Sequence, residues 1–225
     1  MGSTAHDTAA DAPEQPRTKP LLRGVSHEIA ALAALAAWIG LAAAAPSSRA
    51  RLAGSVYGAS LLALFTVSAL YHRPTWAPRA RLLWRRLDHS AIFLLIAGTY
   101  TPFCLLLGGR SGHVLLAVVW TGAALGVLQA VAWPTAPKPL VAVVYLILGW
   151  VVVPVLPTLR LELGPLCIAF LAAGGIAYSL GAAVYAFRRP DPFPRVFGYH
   201  EVFHALVIVA AVFHFVAVAR AVLVL

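Results

Sequence analysis

The sequence predicts an all-α polytopic membrane protein: a bundle of seven transmembrane helices with the N-terminus cytoplasmic and the C-terminus outside. Three observations lead there: an apolar composition, long apolar runs that recur to the last residue, and basic residues that gather in alternate connections. Of the 225 residues, 61% are hydrophobic and only 11% charged, against about 25% charged in an average soluble domain. Mean hydropathy is +0.84. The N-terminus is polar and lacks the basic and apolar regions of a secretory leader, so no cleavable signal is expected.

Residues 1–22 (MGSTAHDTAADAPEQPRTKPLL) are polar, contain proline and lack periodicity, which predicts a disordered cytoplasmic tail. From residue 23 to 225 a single membrane domain is expected. A helix needs about 20 apolar residues to cross the hydrocarbon core, and such runs fall at 27–45, 52–72, 89–107, 113–133, 139–157, 164–187 and 200–223. Short connections between them predict antiparallel neighbours.

Orientation follows from the retention of Lys and Arg on the cytoplasmic side. The tail and the second, fourth and sixth connections hold twelve basic residues, including Arg73, Arg79, Arg81, Arg85, Arg86 and Lys138. The other side holds four, namely Arg49, Arg51, Arg110 and Arg160. That parity requires an odd number of spans and puts the N-terminus inside. Arg220, near the outer end of the last span, can snorkel. The net charge of +9 therefore reflects insertion topology and lipid headgroups, and nucleic acid is excluded as a partner because the cations form no face of a soluble fold. Membrane lipids are the expected partners, and a cell membrane (plasma or inner) the expected location.

Cys104 and Cys167 are too few and too far apart for a disulfide framework and read as small packing residues. Gly174, Gly175 and Gly181 allow close approach of the sixth span to its neighbours. Pro102, Pro154 and Pro157 lie in or near span ends, where freed carbonyls can find other donors.

Ionisable groups at membrane depth are costly and usually face the bundle interior. His72 ends the second span, Asp88 and His89 open the third, and His200, Glu201 and His204 open the seventh, all at the cytoplasmic end by the parity above. Three separate segments thus deliver metal-ligand side chains to one depth. His200 and His204 stand at i and i+4 on one helix face, the spacing of two imidazoles on one metal. A third imidazole from His72 would leave a fourth position for water, the pattern of catalytic zinc. Ser68 lies one turn before His72 on the same face. Asp88 and His89 are adjacent and compete to face inward; Asp88 is favoured, because an unpaired carboxylate at the lipid boundary costs more than a neutral imidazole. His214 is ten residues beyond His204, about 15 Å deeper, too far to share the metal. His27 reads as an ordinary interfacial histidine.

His200-Glu201-Val202-Phe203-His204 also matches H-E-x-x-H, in which the glutamate is the general base of a zinc protease. An intramembrane metalloprotease is therefore a minor alternative. Against it, the predominantly apolar segment after His204 holds no aspartate ligand, and Glu201 points about 100° away from His200.

Three ordered blocks, Ser68-Ala-Leu-Tyr-His72, Leu87-Asp88-His89-Ser90 running into Ala97-Gly-Thr-Tyr-Thr-Pro-Phe103, and Gly198-Tyr-His-Glu-Val-Phe-His204, resemble the hemolysin III branch of the progestin and adipoQ receptor (PAQR) family. The resemblance covers the chain from Arg23 onward. It implies a zinc ion (Zn2+) held by His72, His200 and His204, with Asp88 and Ser68 beside it. Because that family is grouped with alkaline ceramidases, it also implies hydrolysis of lipid amide or ester bonds, with Asp88 as general base, Ser68 helping to hold the oxyanion, and lipid entering from the inner leaflet. The competing expectation is a non-enzymatic protein, a sensor or a cytolysin, whose zinc is structural.

Overall fold

The computed structural model describes residues 19–225. Residues 1–18, most of the expected tail, lie outside the described residues. Lys19–Leu22 do not behave as a free tail. Leu21 and Leu22 donate backbone hydrogen bonds to Arg195 and Val196 carbonyls at 3.1 and 3.2 Å, and the Lys19 Nζ donates to the Arg73 carbonyl at 2.6 Å.

The described chain is all helical: α1 Val25–Ala44, α2 Ser48–His72, α3 Pro78–Leu107, α4 Gly109–Ala132, α5 Lys138–Gly149, α6 Leu156–Leu163, α7 Pro165–Phe187 and α8 Tyr199–Val224. Taken with the 3-10 turn Val153–Val155, α5 and α6 make one span, so seven helical segments are long and apolar enough to cross a membrane. The seven-span expectation is borne out.

Sequence chemistry sets the ends. Ser47 caps α2 by accepting from the Ala50 N–H at 3.0 Å, satisfying one of the free donors of a first turn. Pro78 occupies the first turn of α3, where its missing donor is not needed. That start lies eleven residues before the expected 89, because the apolar pattern marks only the part of a helix that meets lipid. α3 therefore carries Arg81 and Arg85 on the same rod as Asp88.

The fifth span differs more. It was expected as one run at 139–157; it extends to Leu163 and is broken after Gly149. Pro154 offers no N–H to continue the helix, and the Tyr100 hydroxyl satisfies the break, donating to the Gly149 carbonyl at 2.6 Å and accepting from the Val152 N–H at 2.9 Å. Irregular backbone at membrane depth is tolerated where protein supplies such partners. In α3, Thr101 likewise donates to the Ala97 carbonyl one turn back, at 2.9 Å, beside Pro102.

Large apolar side chains such as Leu32, Leu125, Ile147, Leu166 and Val212 point outward, while the interior of α8 is built from Ala210, Ala211, Ala217 and Ala221. This arrangement suits lipid, which solvates the outer face, so close packing of small residues brings helices together. Cys104 and Cys167 are buried and free. α1, α2, α3 and α8 surround one core, which includes Tyr57, Phe65, Ala91, Leu95 and Val218. At the end of the bundle where the basic connections gather, these helices leave room for a site.

Candidate metal centre

His72 is the last residue of α2, Asp88 sits in the third turn of α3, and His200 and His204 occupy the first two turns of α8. One ring nitrogen from each of His72, His200 and His204 lies within 4.8 Å of the others. The His72 and His200 Nε2 atoms are 3.1 Å apart. Nitrogens bound tetrahedrally at about 2.0–2.1 Å from a zinc-sized ion stand about 3.3 Å from one another, so small side-chain adjustments complete the geometry. The ring centroids of His200 and His204 are 4.5 Å apart, and those of His72 and His204 are 5.0 Å apart. His204 is 1% exposed, and its Nδ1 is buried without a hydrogen-bond partner. A buried set of three imidazoles so placed fits a metal ion of the borderline kind that prefers nitrogen ligands.

Asp88 approaches the same point, its Oδ2 3.8 Å from His72 Nε2. Ser68 is buried and lines the same cavity as Asp88. His89, the sequence neighbour of Asp88, lines the same cavity but is not one of the converging ligands; its backbone carbonyl accepts from the Tyr145 hydroxyl at 3.2 Å. His214 does not join the converging rings. It donates to the Leu171 carbonyl at 3.2 Å and occupies space opened by the missing side chain of Gly174.

His27 departs from the interfacial role read from sequence. It is 3% exposed and its ring stacks on His204 with centroids 3.8 Å apart and planes 7° from parallel. Phe65 closes the other side, edge-on at 5.0 Å. The stack holds the His204 ring in place from α1. The signal available in the sequence was depth: His27 opens the first span at the level where His72 closes the second.

Glu201 is 2% exposed, yet it does not belong to the ligand cluster. Its carboxylate ion-pairs with Arg23 and accepts from the Gly198 N–H at 2.9 Å, which caps the start of α8. It ties the chain before α1 to the helix that carries His200 and His204. Glutamine keeps an acceptor for that N–H but loses the charge opposite Arg23. Glu201→Gln is therefore expected to retain bound metal, measured by metal analysis of purified protein, while losing about 1–2 kcal/mol of stability. Loss of metal in this variant would overturn that assignment and show that Glu201 takes part in holding the ion.

Gly24 supports the site through close approach. Its φ of +81° favours glycine, and an added Cβ would lie 2.9 Å from the His72 Cβ. Gly24→Ala should therefore push the end of α2 and lower metal content. Thermal unfolding and metal analysis of the same preparation test this; normal metal content would show that α2 yields at no cost to the site.

A cavity of about 1170 Å³ contains the cluster and runs from Lys19, Arg81 and Arg188 at the loop end to Tyr100, Trp150 and His214 in the bundle. At its mouth, partial burial and then the neighbouring Arg73, Arg23 and Arg81 hold Lys19 below the usual lysine range.

The comparisons agree with this architecture. The family model described as "Haemolysin-III related" matches residues 16–215. Hemolysin-3 of Bacillus cereus is 35% identical over 173 residues, covering 75% of this chain and 78% of that protein. The Hemolysin-3 homolog of Bacillus subtilis (strain 168) is 35% identical over 155 residues, 68% of this chain and 70% of that protein. The heptahelical transmembrane protein ADIPOR2 of Oryza sativa subsp. japonica is 34% identical over 158 residues, 62% of this chain and 68% of that protein. With seven apolar helices and these matches together, the chain is a multi-pass membrane protein that belongs to the hemolysin III branch of the progestin and adipoQ receptor family.

Proposed function

We propose that this protein is a zinc-dependent hydrolase of lipid amide or ester bonds. The observation that carries the reading is the meeting of three imidazoles with a carboxylate and a hydroxyl on the wall of a cavity long enough to hold an acyl chain. His72, His200 and His204 would hold the zinc, leaving one position open as in catalytic sites. When bound there, zinc supplies Lewis acidity toward a carbonyl and makes water more acidic near neutral pH.

The chain's own residues supply the rest. Asp88 Oδ2 accepts the proton of the attacking water and passes it to the leaving nitrogen or oxygen. Ser68, buried beside it, donates to the oxygen that gains charge as the carbonyl is attacked. His27 and Phe65 fix the His204 ring, and the apolar wall beyond keeps bulk water from the acyl chain.

Purified protein incubated with defined ceramides and phospholipids should release fatty acid, and a zinc chelator should abolish the release until zinc is restored. If no lipid in such a panel is cleaved while zinc is bound one per chain, the hydrolase reading falls. The metal then serves to tie the ends of α2 and α8 in a sensor or cytolysin.

A further inference from the structure

The cavity has a chemical order along its length. On α3 its wall includes Arg81, Arg85, Asp88, Ile92, Leu95 and Thr99, spaced by three and four residues so that they form one stripe, with His89, Ile96 and Tyr100 beside it. At about 1.5 Å per residue, Arg85 lies about 4–5 Å from Asp88 toward the loop end, and Thr99 about 16 Å from it toward the bundle centre. α7 repeats the order, with Arg188 near the mouth and then Tyr185, Ala182 and Tyr178 going inward. On α5, Lys138 at the helix start gives way to Ala142, Tyr145 and Leu146. Each wall therefore carries a cation at the loop end, while the inner part mixes apolar residues such as Ile92, Leu95 and Leu146 with Thr99 and Tyr178.

Insertion topology explains why basic residues gather at this end. It does not explain which of them turn into the cavity. Arg79 is exposed and, like Arg86, is absent from the wall, whereas Arg81 and Arg85 share the stripe with Asp88. Lys138 is held in place: its Nζ lies 4.5 Å from the Tyr185 ring centre and 5.1 Å from that of Tyr199, and donates to the Tyr199 hydroxyl at 3.0 Å. Among the described residues no carboxylate pairs with Arg85 or Lys138. Glu201 is taken by Arg23, and Asp88 and Asp191 line the same cavity without an ion pair to either cation. Two half-buried cations on a cavity wall thus form no ion pair among the described residues.

We infer that the cavity takes an acyl lipid with a phosphate head, the phosphate between Arg85 and Lys138, the acyl ester beside the three imidazoles, and the chain in the apolar depth. This names the substrate class for the hydrolase proposed above and rests on that reading for the ester step alone. A guanidinium matches phosphate geometry and a lysine adds a point charge. A glycerol unit between phosphate and ester spans about one helical turn, about 5 Å, the separation of Arg85 from Asp88. A lipid with a neutral head would leave both cations without an ion-pair partner. In the ester step the water oxygen bonds to the acyl carbon, the bond from that carbon to the glycerol oxygen breaks, and the proton goes to that oxygen. The products are a fatty acid and a glycerol phosphate.

The test uses probes that cannot be hydrolysed, so that binding is read apart from turnover. A hexadecyl glyceryl ether bearing phosphate, the same ether without phosphate, and inorganic phosphate are titrated against purified zinc-loaded protein. The phosphate ether should bind at least about tenfold more tightly than the neutral ether, the ratio expected from a charge-assisted contact. The double variant Arg85→Gln/Lys138→Gln should remove that preference at unchanged zinc content, while Arg79→Gln, off the wall, should keep it. Equal binding of the two ethers, an unchanged preference in the double variant, or displacement of the ether by inorganic phosphate at similar concentration would each overturn the assignment. Selective binding without fatty acid release from the ester analogue would retain the head assignment and remove the hydrolase reading, so the two fail separately.

Discussion

His204→Ala should abolish stoichiometric zinc binding and lower stability, the largest structural effect expected from any single change in this chain. His204 is 1% exposed and at the centre of the site: its ring is stacked on His27 and its centroid is 4.5 Å from that of His200. Removing it leaves two imidazoles, too few to hold zinc in competition with water. It also opens a cavity beneath His27 and Phe65, and emptying a buried site of this size costs about 2–4 kcal/mol. The two contributions separate in one experiment. A chelator should lower the unfolding temperature of the wild type, because metal stabilises the folded state by mass action, and should leave that of His204→Ala unchanged. His214→Ala, remote from the cluster, should bind zinc normally. If His204→Ala retains one zinc per chain, the three-imidazole assignment is wrong.

The second large effect is on rate. Asp88→Asn should retain zinc and lose fatty acid release by about a hundredfold to ten-thousandfold, the usual contribution of a positioned proton acceptor. The Asp88 carboxylate is 13% exposed and its Oδ2 lies 3.8 Å from His72 Nε2, near enough to reach a molecule held by the imidazoles without being one of the converging ligands. A carboxamide is nearly isosteric and does not accept a proton at neutral pH. Zinc content measured on the same sample keeps the two roles apart. A loss of activity smaller than about tenfold would mean that the proton goes elsewhere.

Much of the fold was legible because the solvent is simple. A bilayer forces each span into a helix of roughly fixed length, so hydropathy alone located seven spans. The break after Gly149 was less visible, since Trp150, Val151, Val152 and Val153 are as apolar as what precedes them. It depends on Pro154 and on the Tyr100 hydroxyl, which bonds to Gly149 and Val152, 49 and 52 positions along the chain. The early start of α3 was hidden for the opposite reason: residues 78–88 are rich in Arg and sit where the helix has left the lipid.

The candidate site divides in the same way. His72, His200, His204, Asp88 and Ser68 stood out in the sequence because ionisable and polar groups at one depth on three helices are costly unless they meet. His27 is an ionisable group at that depth too, but its stacking depends on how α1 lies against α8. The role of Glu201 was partly legible, since helix geometry turned it away from the histidine pair. Its engagement by Arg23 was not, because that contact closes the chain across 178 residues.

By itself, the sequence determined that the chain lives in a membrane, crosses it seven times, and brings His72, His200 and His204 to one level, since depth is set by position within an apolar run. Tertiary structure alone decided which neighbours those rings have: His27 on the face of His204, the Asp88 carboxylate 3.8 Å from His72 Nε2, and Arg85 with Lys138 on the cavity wall. Rotation of each helix about its axis is decided by packing against its neighbours, and no single span encodes it.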